Sequence, residues 1–290
     1  MPLAKPSPCK VNLILNILGR RPDGYHELET IMQPVRFHDE LAFTRTATGL
    51  ELTCNDASLP VDGRNLVHRA ATAFLTAASI SDGVKIHLEK KIPLAAGLGG
   101  GSGNAATALL GLNELFGQPL GLAKLHELAA GLGSDINFFL QDQPALATGR
   151  GEQVQSLANF PALAGKAFFL IHPGFGISTP WAYQNLARFP EALNGRPGRA
   201  QQLVSALQTS DWAAIRAEMY NSLEAPALDK YPVLAVFQKF LLEHGALATL
   251  MSGSGSTTFA LFETIPAAET VREQFLAFFG RNCWTAVVPV

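Results

Sequence analysis

Residues Pro93 to Thr107 read P-L-A-A-G-L-G-G-G-S-G-N-A-A-T, with Gly97, Gly99, Gly100, Gly101 and Gly103 inside seven positions. An alanine-rich apolar segment, Ala105 to Leu112, follows directly. Glycine admits positive φ and lets a backbone approach a ligand with no Cβ in the way. The spacing predicts a helix from Ser102 to Phe116. Its first N–H groups have no internal partners, and its dipole is positive at that end. A glycine-rich loop feeding a helix N-terminus is a cradle for phosphate.

Spacing separates the phosphate loops this stretch can represent. A Walker A loop ends in Gly-Lys-Ser/Thr, and no lysine lies between Lys91 and Lys124. The dinucleotide pattern G-x-G-x-x-A matches Gly101, Gly103 and Ala106. It also needs an acid closing the next strand about twenty residues on. Glu127, the acid near that distance, sits in the helical run Leu122 to Leu132. A third pattern, P-x-x-x-G-L-G-x-x-x-x-x-A-A, opens with proline after a strand and fits in full. An ordinary tight strand-to-helix turn is the bland alternative, and the chain entropy of so many glycines weighs against it.

The chain has 290 residues, 48% of them apolar and 16% charged, with a formal net charge of −2. That length accommodates two domains. Nucleic-acid binding is not expected, because phosphate-backbone affinity needs concentrated Lys and Arg. Cys9, Cys54 and Cys283 are odd in number and far apart. They predict reduced thiols in a cytoplasmic protein, with neither a metal spacing nor a disulfide framework. Val11 to Leu18 is broken by Asn12 and Asn16, so it does not read as a signal peptide. No apolar run is long enough to span a membrane.

Alternation predicts strands at Val11 to Gly19, Glu27 to Val35, Glu40 to Thr46 and Val84 to Ile92. The last of these enters the glycine loop. A helical stripe runs through Asn65 to Ala78. Ala158 to Gly165 reads as a linker. Beyond it a strand at Ala167 to His172 precedes helices at Pro180 to Ala187, Arg199 to Leu207, Trp212 to Tyr220 and Pro232 to His244. Strands at Ala246 to Met251, Thr258 to Phe262 and Trp284 to Val288, with a helix at Ala267 to Phe279, complete a small open sheet packed by helices.

Several segments carry polar residues suited to chemistry. C-K-V-N-L at Cys9 to Leu13 sets Lys10 and Asn12 on one face of a strand. Taken alone, Lys10 reads as a solvated strand residue. D-G-Y-H at Asp23 to His26 is, alone, a turn. Asp135 lies in G-S-D-I-N, a helix N-cap context. Ser252 to Ser256, S-G-S-G-S, is a flexible turn or a backbone nest.

Taken together and in this order, these segments and the glycine loop resemble the GHMP kinases. Among these they resemble the 4-diphosphocytidyl-2-C-methyl-D-erythritol kinase family, over roughly residues 5 to 262. The resemblance implies an α+β, two-domain fold. Residues 1–157 would form an N-terminal ATP-binding β-α-β domain, and 166–290 a C-terminal open-sheet α/β sandwich. It implies ATP-dependent phosphorylation of the 2-hydroxyl of the cytidyl substrate, with release of ADP, in non-mevalonate isoprenoid biosynthesis. Asp135 would take or orient the hydroxyl proton, and Lys10 would sit beside it. ATP would bind through Pro93, Gly97, Leu98, Gly99, Gly100, Gly101, Ser102 and Gly103, with Asn65 on the adenine side. Tyr25, His26 and Tyr183 would hold the cytosine, joined by Thr179, and Asn12 would contact the methylerythritol part. Mg2+ would arrive with ATP, with no direct protein ligand assigned. The protein would be a monomer or weak homodimer with no nucleic-acid or membrane partner.

Two positions depart from the family pattern. Gly103 stands where a second serine is usual, and Asn137 where proline is usual after the aspartate. Another GHMP kinase, for homoserine or a mevalonate derivative, is the nearest alternative, and D-G-Y-H argues against it because those substrates carry no pyrimidine. A non-catalytic nucleotide-binding relative could dispense with Lys10 and Asp135, yet both are present.

Overall fold

A computed structural model describes residues 2–290. The chain packs as two compact units. One holds the residues through Cys9 with Phe37–Ile92 and Gly99–Asp142; the other holds Lys10–Arg36, Pro93–Leu98 and Gln143–Val290. Each unit therefore draws on three segments, where 1–157 and 166–290 divide the chain once. The two long strands β1 (Leu3–Arg20) and β2 (His26–Thr46) each contribute to both. The expected strands at Glu27 to Val35 and Glu40 to Thr46 are thus one continuous strand.

In the first unit, β3 (Leu50–Cys54), α1 (Leu66–Ala77) and β4 (Gly83–Glu89) form a β-α-β unit with β3 and β4 parallel. β4 also pairs antiparallel with β2 from Glu40 to Thr46. Val84, Ile86 and Leu88 are buried while Lys85, His87 and Glu89 are not, the alternation of a strand with one face on a core. α2 (Gly100–Leu115) is buried almost all round from Gly103 to Asn113. Its small residues admit close neighbours. A Cβ at Gly111 would lie 2.5 Å from the ring of Phe43, so that glycine is the slot for a core aromatic. α3 (Leu122–Leu132) and a 3-10 turn, Asn137–Leu140, close the unit.

α2 begins two residues before the expected Ser102. Gly99 takes a left-handed φ of 69° and caps it, which frees Gly100 and Gly101 to turn helically. A run of glycines reads as loop in the sequence, and burial of the helix overrides that preference.

In the second unit, β5 (Ala145–Gly149) and β6 (Gln153–Ser156) form a hairpin, and β5 pairs with β2 from Leu28 to Met32. β7 (Ala167–His172) leads to α4 (Thr179–Asn185), α5 (Pro190–Leu193), α6 (Arg199–Thr209) and α7 (Trp212–Glu218). β8 (Tyr220–Asn221), α8 (Glu224–Lys230), α9 (Val233–Glu243) and β9 (Ala248–Met251) follow. β10 (Thr258–Phe262), α10 (Ile265–Phe279) and β11 (Trp284–Pro289) complete it. β11, β7, β10 and β9, in that order, make a four-stranded antiparallel sheet. Phe237 and Phe240 of α9 and Phe275 of α10 pack with Phe169 and Phe262 of that sheet. Apolar burial on this scale is the main stabilising term.

The helix expected over Trp212 to Tyr220 stops at Glu218. Tyr220 and Asn221 instead pair in parallel with Ile14 and Leu15 of β1. Ladder hydrogen bonds to a distant strand outweigh the local helical stripe. Among the described residues no helix is long and apolar enough to cross a membrane.

Candidate functional site

Three of the motif segments meet within the second unit. Lys10 is only 3% exposed, so it is not a solvated strand residue. Its Nζ donates to Asn12 Oδ1 at 2.5 Å and to the carbonyl of Gly97 at 3.0 Å. The Asn12 amide donates in turn to Thr30 Oγ1 at 2.8 Å, which fixes its orientation toward the lysine. Ser252 Oγ donates to the same Gly97 carbonyl at 3.0 Å and accepts from the Asn12 N–H at 3.3 Å. The first strand, the start of the glycine loop and the S-G-S-G-S turn are thereby joined around one carbonyl oxygen. Gly97 has φ of 77°, and a Cβ on it would lie 2.0 Å from the Ser252 carbonyl. Only glycine fits there.

The S-G-S-G-S turn is itself held by residues that carried no motif signal. The Asn221 amide donates to the carbonyls of Met251 and Gly253, both at 2.8 Å, and its Oδ1 accepts from the Leu223 N–H. Glu224 Oε1 accepts from the Met251 N–H at 2.7 Å and from the Gln238 amide. Burial pushes the Glu224 carboxyl up to about 7, although both hydrogen bonds favour the carboxylate. The folded protein therefore holds this proton between the ordinary carboxylate range and about 7, where the unfolded chain has released it. Stability is greatest below that window and falls as pH rises through it. Glu224→Gln keeps an oxygen for both donors and cannot ionise. Relative to this variant, the wild type is expected to lose up to about 3 kcal/mol between pH 4.5 and 8. Urea unfolding of both proteins across that range checks it; parallel pH profiles would refute the assignment.

Downstream of Gly99, within the first unit, the first turn of α2 presents the N–H groups of Gly100, Gly101 and Ser102. The first helical bond back to the cap is Gly103 N–H to Gly99 C=O, at 2.9 Å. No acidic residue occupies this turn, so its positive end is not neutralised locally. Gly103 has a steric cause. A Cβ there would lie 2.4 Å from the Pro8 carbonyl, so a serine would collide with β1. At Gly101 a Cβ would meet only Leu66, at 3.7 Å, and φ is not left-handed.

Asp135 lies in the turn between α3 and the 3-10 segment. Ile136, not Asp135, occupies the N-cap position of that segment. Asn137 Oδ1 and His126 Nδ1 are 3.1 Å apart, which ties the chain just beyond Asp135 to α3. Asn65 is the N-cap of α1: its Oδ1 accepts from Val67 N–H at 2.9 Å and its amide donates to the Pro60 carbonyl at 2.8 Å.

The D-G-Y-H segment forms a turn in the second unit, with Asp23 accepting from the Tyr25 N–H at 3.1 Å. His26 and Tyr183 rings lie 5.1 Å apart, tilted by 39°. Tyr25 is 57% exposed, and the Arg150 guanidinium sits 4.7 Å over its ring. Burial, helped by the charge of Arg20, lowers the His26 pKa below its ordinary value, so the ring is neutral near pH 7. A neutral imidazole has one donor and one acceptor. Thr179 Oγ1 and Ser254 Oγ lie 2.9 Å apart, bringing the start of α4 to the serine-glycine turn.

Residues 65–150 match the family model of the GHMP kinases N terminal domain, and 203–281 that of the GHMP kinases C terminal domain. A 4-diphosphocytidyl-2-C-methyl-D-erythritol kinase of Pelotomaculum thermopropionicum is 43% identical, over 92% of this chain and 91% of its own. Its counterpart in Geobacter sulfurreducens is 40% identical, over 93% and 94%. A crystal structure of a 4-(cytidine 5'-diphospho)-2C-methyl-D-erythritol kinase aligns with a TM-score of 0.78 at 35% identity, covering 99% of this chain and 100% of that one. Homoserine kinase of Cytophaga hutchinsonii aligns at 0.76 with 22% identity, over 99% and 93%, a likeness of fold alone.

Proposed function

The chain belongs to the 4-diphosphocytidyl-2-C-methyl-D-erythritol kinase family of the GHMP kinases, and from this we propose how its residues perform the transfer. The reaction moves the γ-phosphoryl group of ATP to the 2-hydroxyl of the cytidyl substrate and releases ADP. The hydroxyl oxygen forms the new P–O bond as the bond to ADP breaks, and the hydroxyl proton passes to the Asp135 carboxylate. Lys10 stabilises negative charge on the attacking oxygen. Its two hydrogen bonds, to Asn12 and to the Gly97 carbonyl, hold the ammonium in place beforehand. That preorganisation matters because phosphoryl transfer is mostly positioning and electrostatics.

The glycine segment from Pro93 through Gly97 and Leu98 to Gly103, with the N–H groups of Gly99, Gly100, Gly101 and Ser102, cradles the ATP phosphates. The observation that carries this reading is the helix start at Gly100, with unpaired N–H groups and no acid in its first turn. Asn65 stands on the adenine side as a helix cap that shapes the chain there. Asn12 contacts the methylerythritol part. Mg2+ would arrive with ATP, with no residue of this chain assigned to hold it. When bound it screens phosphate charge. Among the described residues no three His, Cys, Asp or Glu side chains gather to form a cage of their own. The protein works in the cytoplasm, as a monomer or weak homodimer.

His26, Tyr183 and Tyr25 recognise the cytosine, with Thr179 at the edge of the slot. The neutral ring of His26, set against Tyr183, supports this, since it offers hydrogen bonds without a charge. A site built to hydrogen-bond a base leaves buried groups unpaired with the wrong one. His26→Ala is expected to weaken apparent binding of the cytidyl substrate by about 1–3 kcal/mol, as for one buried hydrogen bond. KM for ATP should stay nearly unchanged. The uridine analogue should be a far poorer substrate of the wild type. Steady-state kinetics with both substrates varied checks this; a shift in the ATP constant instead would move the cytosine slot elsewhere.

A further inference from the structure

Asp39, in β2, is a carboxylate of the first unit that is 0% exposed. Its Oδ1 accepts from the N–H groups of Lys91 and Ile92, at 2.7 and 2.8 Å. Its Oδ2 accepts from Lys90 Nζ at 2.5 Å and from the Asn104 amide at 2.9 Å. The Asn104 amide also donates to Ser7 Oγ at 2.8 Å. Lys90 to Ile92 lead into the glycine segment, and Asn104 lies in α2 just past its end. One buried side chain thus grips both stems of the loop.

The chemistry of the grip is specific to a carboxylate. It offers two oxygens with about four acceptor sites and no donor. Four N–H donors converge here, one of them on a cation. An asparagine at this position would turn two donors against them, and an apolar residue would leave the N–H groups of Lys91 and Ile92 and the Lys90 ammonium without their acceptor. Burying a carboxylate is unfavourable unless it is paired and fully hydrogen-bonded. Lys90 supplies the pairing with a side chain only 5% exposed. The ammonium also lies 3.2 Å from where a Cβ of Gly100 would be, so the pair reaches the first turn of α2.

We propose that Asp39 is a positioning residue for phosphoryl transfer: by clamping the two stems of the glycine segment, it sets the spacing of the N–H donors before ATP arrives. This rests on the reading that the segment binds the ATP phosphates. A loop that must be ordered on binding loses affinity for its ligand, and a clamped one does not. The clamp acts on the nucleotide side alone, so its loss is felt in ATP binding and not in binding of the acceptor alcohol.

The test uses the full chain and two-substrate kinetics, with melting temperatures alongside. Asp39→Asn is expected to raise KM for ATP about tenfold or more, since small misplacements of binding groups have effects of that order. KM for the cytidyl substrate should stay within about twofold, and the melting temperature should fall. Adding Lys90→Met removes the stranded ammonium. The double variant should recover melting temperature while KM for ATP stays high, because the asparagine keeps an oxygen for Lys91 and Ile92 but turns its NH2 on the Asn104 amide, which leaves the α2 stem released. If KM for ATP returns to normal with stability, Asp39 only neutralises Lys90 and the proposal is overturned. An equal rise in both KM values overturns it as well. Should Asp39→Asn fail to fold, Asn104→Leu releases one stem and leaves the ion pair intact. It is expected to raise KM for ATP several-fold, and a normal value would refute the clamp. An ATP analogue titrated into Gly101→Val separates the two readings. If Gly101→Val binds the analogue normally, the loop reading fails and the proposal falls with it. If it loses binding while the Asp39 and Asn104 variants keep wild-type ATP constants, the proposal alone fails.

Discussion

Asp135→Asn is expected to lower kcat at least about a hundredfold while the protein stays folded, given that general-base catalysis contributes roughly 10²–10⁴. Asparagine keeps the size of the side chain and one carbonyl oxygen, but it cannot take the hydroxyl proton. Asp135 does not occupy the N-cap of the 3-10 turn that follows, so no helix cap is lost with it. Near-wild-type turnover at an unchanged melting temperature would exclude Asp135 as the base. Lys10→Met is expected to lose a similar factor in kcat. It also takes the lysine donor from Asn12 Oδ1 and leaves the Gly97 carbonyl with Ser252 Oγ, at a stability cost of roughly 1–3 kcal/mol. Its melting temperature must therefore be read beside its rate. The double variant should lose much less than the product of the single losses, because groups that serve one transition state are not additive.

Gly101→Val is expected to abolish detectable binding of an ATP analogue. The sequence suggests that a side chain here would strain a left-handed backbone. The structure corrects that reason, since Gly101 lies inside the first turn of α2 without positive φ. The protein leaves room for a Cβ, with only Leu66 near it at 3.7 Å. Valine is also no worse than glycine as a helix former. The substitution therefore spares the fold and blocks only what approaches the helix N-terminus from outside. Calorimetry with the analogue, with circular dichroism as the folding control, reads this directly. Unaltered affinity would put the nucleotide somewhere else. The same substitution at Gly97 would not be informative, because a Cβ there collides with the Ser252 carbonyl whether or not ATP is present.

Much of this protein was legible in its residues because local backbone demands are written in local residue types. Left-handed turns and close approaches need glycine, so Gly97 and Gly99 announced the turn that leads into α2. Alternation marked β4, and a helical stripe marked α1. Lys10 and Asn12 were legible as a pair because a strand sets alternate residues on one face. Other features were decided only when distant segments met. Whether Lys10 is solvated or buried depends on Gly97 and Ser252, and spacing within C-K-V-N-L carries no trace of either. Tyr220 and Asn221 read as the end of a helix and became a strand because β1 offered them a ladder. Gly103 looked like a lost hydroxyl and is a contact with Pro8. Asp39, Asn221 and Glu224 belong to no motif. Each is a polar group held inside the fold whose most distant partner lies 27 to 65 residues away along the chain. A buried polar group must find a partner, but which distant segment supplies it is settled by packing, and packing is a property of the folded chain alone.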